Sequence, residues 1–271
     1  MKKHPVPWTL AVFMLLFFCS QAFAMHPLIT DDAGTQGKGN FQLEVNGEYG
    51  HDKDEGVTAR TTQLASILTY GVIDPLDIVL SIPYQHNRVE DSGAVIRGDG
   101  ISDLSLETKW RFYEKDGLSL ALKPGFTLPT GDSGKDLGAG KATYHLFFIA
   151  TKEMKPWALH FNLGYIRNEN TLDENRNLWH ASLAAVLDVA KNLKAVGNIG
   201  IQTNADRNAT VHPAFILGGL VYSISENFDV DFPESSFQAG NEILVGIRQC
   251  LREQTIKCNC VSGHSIYRCK T

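Results

Sequence analysis

The sequence predicts an all-β fold: an up-and-down antiparallel transmembrane β-barrel of about 12 strands, with both chain termini in the periplasm. Three observations predict it. From Phe41 onward, successive segments alternate apolar and polar residues, and a period of two is typical of strands. Several segments exceed the ~5–6 residues of an ordinary strand. The connections between them are alternately short and long, as in barrels whose turns face the periplasm and whose loops face outside.

The start of the chain has the features of a secretory signal peptide. The basic pair Lys2-Lys3 is followed by an apolar run from Leu10 to Phe18 and by the cleavage motif Ala22-Phe23-Ala24. The apolar run is shorter than the ~20 residues that a membrane-spanning helix needs. We therefore predict that residues 1–24 direct export and are then removed.

Residues 25–40 are polar and glycine-rich, without a clear period. We predict that they form a periplasmic N-terminal lead-in segment. His26, Asp31 and Asp32 have side chains that can bind a metal, but no further ligand spacing supports such a site, and acids of this kind also favour turns. The sequence therefore predicts neither a metal nor a cofactor.

The charge and hydropathy of the chain bear on two questions: whether it is soluble or membrane-bound, and whether it binds nucleic acid. The net charge is −5, the pI is about 6.0 and the mean hydropathy is −0.14. These values suit a soluble secreted protein, but alternation keeps the average hydropathy of membrane barrels low as well. No stripe of Lys and Arg with interleaved aromatic residues occurs, so nucleic acid is not predicted as a partner.

Residues 41–249 are predicted to form one barrel domain. Its clearest hairpin has two alternating strands, which lie on either side of Asp116-Gly117, a strong signal for a tight turn. The other alternating segments begin near Phe41, Ala59, Ile78, Tyr144, Trp157, Trp179, Leu193, Val211, Asn227 and Asn241. In hydrocarbon every backbone polar group must be paired, so we expect the first and last strands to pair and close the sheet.

The connections and the aromatic residues both favour a membrane barrel. The short connections are IDPL, EKDG, EMKP, AKN and SEN, and the long ones include GHDKDEGVTA, HNRVEDSGAVIRGDG and PESSFQAGN. In a soluble β-sandwich, short and long connections are not expected to alternate along the chain. Girdles at the two membrane interfaces are predicted from the aromatic residues near strand ends: Tyr49, Tyr70, Tyr84, Trp110, Phe112, Tyr113, Trp157, Tyr165 and Trp179.

Charged and polar residues on the other strand face are predicted to line the lumen. They are Glu44, Glu48, Asp103, Glu107, Lys109, Arg111, Lys123, His160, Asn162, His180 and Lys194. Such residues either line a solute path and set its selectivity or neutralise one another in a closed interior, and the sequence leaves both open. A barrel of about 12 strands is smaller than an open porin, so we expect a narrow or plugged lumen.

A membrane-embedded lipid hydrolase is a third possibility. His160 with Asn162, and His180 with Ser182, are spaced two residues apart on one strand face. A Ser/His acyl hydrolase needs such groups close together. Both pairs are predicted to face the lumen, where lipid has poor access, so we expect polar lining and no enzyme activity.

The end of the chain has a different composition. Residues 250–271 form an atypical tail that holds Cys250, Cys258, Cys260 and Cys269, the only cysteines after the signal peptide. Their spacing fits no common zinc motif. Two interpretations remain open: disulfides formed in the oxidising periplasm, or a frameshift that replaced the natural terminus, which we favour.

The chain resembles the family of the meta-pathway of phenol degradation, a group of outer-membrane barrels. The resemblance is carried by HPLITDDAGTQGKGNFQLE, GDGISDLSLETKWRF, GFTLPTGD, LGAGKATYHLFFIATKE and WALHFNLGYI, over roughly residues 26–247. It implies a location in the outer membrane, with membrane lipid and the barrel assembly machinery as partners. It also implies passive uptake of small hydrophobic or aromatic compounds. A structural or interaction barrel with a closed lumen is the alternative.

Overall fold

The computed structural model describes residues 28–54, 57–91, 94–225, 228–239 and 242–252. Within these residues one sheet contains 13 strands. The strands are β1 (Phe41–Asp54), β2 (Val57–Ile73), β3 (Leu76–Asp91), β4 (Ala94–Ile101), β5 (Leu104–Lys115), β6 (Leu118–Leu128), β7 (Thr143–Met154), β8 (Trp157–Arg167), β9 (Asn177–Ala190), β10 (Leu193–Gln202), β11 (Ala214–Ser225), β12 (Phe228–Ala239) and β13 (Glu242–Arg252). A single 3-10 turn covers Ser133–Lys135. In the described part of the chain, no helix is long and apolar enough to cross a membrane.

The sheet closes on itself as an antiparallel barrel. β1 pairs with both β2 and β13, and every other neighbour in the wall is also antiparallel. β4 and β5 share one position in the wall, because β3 pairs with β4 through residues 84–91 and with β5 through residues 76–81. The interruption lies at residues 102–103, where Ser102 N still donates to Pro83 O at 2.9 Å. The wall therefore has the predicted 12 positions.

The two ends of the barrel differ, as the parity of the connections predicts. At one end, which we call the turn end, adjacent strands are joined by two residues, for example Asp74-Pro75 and Asp116-Gly117. Asp116 and Gly117 both have positive φ, 51° and 73°, which is the geometry of a type I′ hairpin turn. At the other end, the loop end, longer connections span residues 129–142, 168–176 and 203–213.

Three connections predicted as long loops are instead the tips of extended hairpins. The segment HNRVEDSGAVIRGDG, residues 86–100, continues β3 to Asp91 and begins β4 at Ala94. The β1–β2 and β12–β13 connections likewise shrink to residues 55–56 and 240–241. Beyond the apolar band a strand needs no alternation, because pairing of its backbone groups is sufficient to continue the ladder. The prediction of loops there was wrong for this reason.

Large apolar side chains cover the outward face of the wall. Leu64, Leu68, Ile78 and Ile82 are 40–49% exposed, as is expected for residues that meet lipid instead of water. All predicted girdle residues are exposed except Tyr165, which is half-buried. Aromatic pairs lie at both ends of the band: Phe41 and Tyr70, with ring centroids 4.6 Å apart, and Tyr165 and Trp179, 4.9 Å apart.

The closing strand is longer than predicted. β13 runs to Arg252, so the barrel extends past residue 249 into the segment that the sequence assigns to the tail. Cys250 is opposite Glu44, and Arg252 is opposite Gln42. The predicted signal peptide and the cysteines Cys258, Cys260 and Cys269 lie outside the described residues.

Candidate functional site in the barrel interior

The N-terminal residues 28–38 run along the inside of the barrel wall, and we call residues 28–36 the lumen segment. These residues join β1 at the turn end. There Gly39 N donates to Gly71 O at 2.7 Å, and Gly71 N donates to Asn40 O at 2.9 Å. Position 71 must be glycine, since a Cβ there would collide with the backbone oxygen of Gly37. The predicted lead-in segment is therefore part of the barrel interior, a placement that its sequence did not indicate.

Polar side chains of the wall hold the backbone of the lumen segment. Asp77 accepts a hydrogen bond from Gln36 N at 2.9 Å, and Thr151 accepts one from Ala33 N at 2.9 Å. An extended segment inside a barrel has no strand partner, so its N–H groups need other acceptors, which here are side chains. These acceptors come from β3 and β7, which shows that the segment crosses the interior.

Asn198 on β10 fixes the far end of the lumen segment. Its Oδ1 accepts from Ile29 N at 2.7 Å and from Thr30 N at 3.1 Å, while its Nδ2 donates to Thr30 Oγ1 at 2.6 Å. Thr30 Oγ1 in turn donates to Ser182 Oγ at 2.7 Å. Beyond this point the segment reaches its apolar contact, where Leu28 packs with Ala184, Val186, Val196, Leu217 and Val221.

An ion-pair network, which we call the charge cluster, joins the lumen segment to three strands. Asp31 lies 2.8 Å from Lys109 Nζ and 3.2 Å from Lys123 Nζ. Lys123 also pairs with Glu107 at 2.9 Å, and Glu107 contacts His145 Nε2 at 2.7 Å. The cluster holds two ammonium groups and two carboxylates, so the charge within the cluster balances only when Asp31 is in place.

Asn162 on β8 contacts the same part of the lumen segment. In the amide orientation that satisfies both of its ends, it accepts from Asp31 N at 2.9 Å and donates to Asp31 O at 2.8 Å. Asp31 is thus held by backbone and side chain together. A displacement of Asp31 must therefore break its backbone and its side-chain contacts.

The pKa values of the two acids of the lumen segment are shifted in opposite directions. Burial by itself would raise the pKa of Asp31, but Lys109 and Lys123 outweigh it and hold the pKa below its usual range. Burial raises the pKa of Asp32 to about 6, against the attraction of Lys109 and with the repulsion of Asp31. At neutral pH Asp31 therefore keeps its charge, whereas Asp32 changes its charge near pH 6.

A family model connects this chain to known sequences. The model described as "Putative MetA-pathway of phenol degradation" matches residues 26–233, from the lumen segment into β12. The chain belongs to this family. A search among curated protein sequences finds no match.

Solved structures share the fold of this family member. The crystal structure of an outer membrane channel from Pseudomonas putida F1 has a TM-score of 0.64 at 13% identity, over 85% of this chain and 99% of that chain. The β domain of the Bordetella autotransporter BrkA has a TM-score of 0.54 at 11% identity, over 80% and 100%. With its closed sheet and outward apolar band, the protein has the fold of an outer-membrane β-barrel.

Four of the predicted lumen-lining residues meet at the lumen segment. Glu107, Lys109 and Lys123 belong to the charge cluster, and Asn162 contacts Asp31. Glu44 lies near the entry of the segment, where its Oε1 accepts from Gln42 Nε2 at 2.6 Å. Lys194 is half-buried on β10.

Arg111 and Asp103 have partners elsewhere in the barrel. Arg111 pairs with Glu114 at 3.2 Å near the turn end. Asp103 anchors the loop of residues 129–142, because its carboxylate accepts from Gly131 N at 2.9 Å and from Ala139 N at 2.8 Å. The side chain of Glu48 is outside the described part of the structure.

The two histidines of the hydrolase alternative are buried. His160 contacts Thr151 Oγ1 through Nδ1 at 2.9 Å, and His180 Nε2 lies 3.0 Å from Ser182 Oγ. Ser182 Oγ already accepts the hydroxyl hydrogen of Thr30. The pair that most resembles a nucleophile and its base therefore lies beneath the lumen segment, and its serine accepts a hydrogen bond from Thr30 of that segment.

The sequence did not predict the residues that hold the lumen segment in place, above all Thr30, Thr151 and Asn198. One signal was available for Asp31: Lys109 and Lys123 project inward from neighbouring strands, with Glu107 as an acid between them, which leaves one positive charge to neutralise. No group of three or more His, Cys, Asp or Glu that could hold a metal occurs among the described residues.

Proposed function

We propose that the protein is a passive outer-membrane channel for small hydrophobic or aromatic solutes, in which the lumen segment forms the constriction. The observation that carries the proposal is how this segment is held. Apart from the apolar contact of Ala33 with Ala121 and Ile149, the contacts that hold it from Ile29 to Gln36 are hydrogen bonds and ion pairs to the wall. A permanent core would be expected to consist of close-packed apolar side chains.

The polar contacts that hold the lumen segment favour a segment that can move. Its hydrogen bonds can be exchanged for bonds to water, so the net free energy of each is only about 0.5–1.5 kcal/mol. A wide permanent pore is not expected from 12 wall positions with a peptide inside. Solute would pass beside the lumen segment or after its partial displacement, and no cofactor or chemical step is needed.

We also propose an orientation for the barrel in the membrane. The turn end faces the periplasm and the loop end faces outside, as in bacterial barrels with short periplasmic turns. The lumen segment then crosses the periplasmic half, and the loop held by Asp103 lies at the external mouth. The solute class rests on the description of the family, which names phenol degradation.

A closed barrel with a structural or interaction role is the second candidate. It is favoured by the charge cluster, whose positive and negative groups neutralise one another without any solute. Recordings from the purified mature protein in planar lipid bilayers separate the two. A channel gives discrete conductance steps, and a closed barrel gives none above the bare bilayer.

Solute specificity is tested separately in liposomes. Vesicles that contain the protein are mixed with phenol or with a sugar of similar size, and the rate of entry is compared with that of protein-free vesicles. Faster entry of phenol through the protein, corrected for its direct permeation of lipid, supports the proposed solute class. Equal acceleration of both solutes would support a channel without this preference.

A further inference from the structure

Three arginines lie side by side on the outward face of the barrel near the loop end. Arg60 on β2 is directly opposite Arg88 on β3, and Arg88 is directly opposite Arg97 on β4. Residues that are directly opposite project from the same face of a sheet. Here that face is the lipid side, because Arg60 shares it with the exposed Leu64 and Leu68. We call these three residues the arginine row.

The arginine row lies just above the apolar band. On the outward face, the last fully apolar level of this part of the wall consists of Leu64, Tyr84 and Ile101, which are directly opposite one another and 45–54% exposed. Arg60 is four residues further toward the loop end, roughly 13 Å along the strand. This is the level at which a membrane barrel passes from lipid tails into the headgroups.

The charges in the arginine row are incompletely neutralised by the protein. Glu90 pairs with Arg88 at 2.5 Å and with Arg60 at 3.7 Å. Among the described residues, Arg97 forms no ion pair, although Asp99 follows two positions later on the same face, and Arg88 Nε is buried without a hydrogen-bond partner. Like charges that are directly opposite destabilise a sheet, so a shared anion would stabilise this one.

We propose that the arginine row binds the phosphate group of a membrane lipid headgroup. Guanidinium groups bind phosphate through two parallel N–H···O bonds, and several of them can share one phosphate. The row faces the membrane and not the aqueous lumen, so the expected ligand is a lipid phosphate and not free phosphate. This proposal depends on the outer-membrane fold and not on the channel function.

Binding can be measured with the full mature chain purified in detergent. The probes are a diphosphorylated lipid A, the same lipid after enzymatic dephosphorylation, and inorganic phosphate, each followed by native mass spectrometry. We expect the phosphorylated lipid to remain bound and the other two probes to be lost. The change R97Q removes an exposed side chain without an ion-pair partner among the described residues, so we expect about tenfold weaker binding with unchanged folding.

The matched control removes the same charge elsewhere on the loop end. Arg176 and Arg207 lie near acidic partners, Glu169 and Asp173, and R176Q or R207Q should leave lipid binding unchanged. The proposal is overturned if R97Q and the control variants lose binding equally, if the dephosphorylated lipid binds as well, or if inorganic phosphate competes at similar concentration. The triple variant R60Q/R88Q/R97Q should abolish binding, and its heat-modifiable migration on gels checks that the barrel has formed.

Discussion

The carboxylate of Asp31 lies 2.8 Å from the ammonium group of Lys109, although the two residues are 78 positions apart in the chain. One belongs to a non-repetitive N-terminal segment and the other to the barrel wall. The ion pair joins the part of the molecule that occupies the interior to the part that surrounds it. The first prediction concerns this pair.

The change D31N should loosen the lumen segment. It leaves Lys109 and Lys123 with one carboxylate between them, and removal of one partner of a buried ion pair costs about 3–5 kcal/mol. The side chain of Asp31 is 29% exposed, so we expect a smaller loss, roughly 2 kcal/mol. Thermal unfolding, followed as the loss of heat-modifiable migration, measures it.

The matched control for this change is D173N. Asp173 also forms an ion pair, at 2.7 Å with Arg207, but its side chain is 88% exposed. An exposed pair contributes about 0–1 kcal/mol, so D173N should unfold near the wild-type temperature. Equal destabilisation by the two changes would show that Asp31 has no special role.

Opening of the lumen should increase as the pH rises through about 6. The pKa of Asp32 is raised from 3.8 to about 6 in the seated segment, so the seated state binds a proton more tightly than a released, solvated segment does. Proton binding to Asp32 therefore stabilises the bound position of the lumen segment. This stabilisation is complete below the ordinary pKa and is lost as the pH rises through about 6. Lys109, Asp31 and Glu44 face this carboxyl and modulate its pKa.

Single-channel recordings between pH 5 and 8 check the pH dependence. The wild-type protein should spend more time in conducting states at pH 7.5 than at pH 5. The variant D32N cannot ionise at this position, so its open fraction should vary much less over this range. A wild-type response that D32N retains in full would assign the effect to another group.

Replacement of Asn198 by alanine should release the far end of the lumen segment. Asn198 is 2% exposed and accepts both Ile29 N and Thr30 N. Buried donors without a partner cost about 1–3 kcal/mol, so hydrogen exchange at residues 29 and 30 should become faster by one to two orders of magnitude. In N204A, which changes a half-buried loop amide outside the lumen segment's contacts, exchange at these residues should stay at the wild-type rate.

Replacement of Asp103 by alanine should free the loop of residues 129–142. The N–H groups of Gly131 and Ala139 then lose their acceptor, and trypsin should cut sooner after Lys135, whose side chain is 57% exposed. The control is D173N, which changes an exposed acid in the loop of residues 168–176 and should leave cleavage after Lys135 at the wild-type rate. If D103A and the wild-type protein are cut at the same rate, this carboxylate does not hold the loop.

The barrel could be predicted from the sequence because its rules are local. Alternation along β5, the Asp116-Gly117 turn and the parity of connections each depend on neighbouring residues. The lumen segment has no such periodicity, because its partners lie far away in sequence: Ile29 and Asn198 are 169 positions apart. The tips of β3 and β4 escaped prediction because paired strands outside the membrane need no apolar face.

A reversible lock on the lumen segment tests the central claim most directly. The hydroxyl oxygens of Thr30 and Ser182 lie 2.7 Å apart, which suits a disulfide in T30C/S182C once Cys250, Cys258, Cys260 and Cys269 are replaced by serine. The single variant S182C is the control. We predict that the oxidised double variant shows few conductance steps in planar bilayers and that a reductant restores them. Equal conductance before and after reduction, with the disulfide verified by mass spectrometry, would contradict the claim that movement of this segment opens the channel.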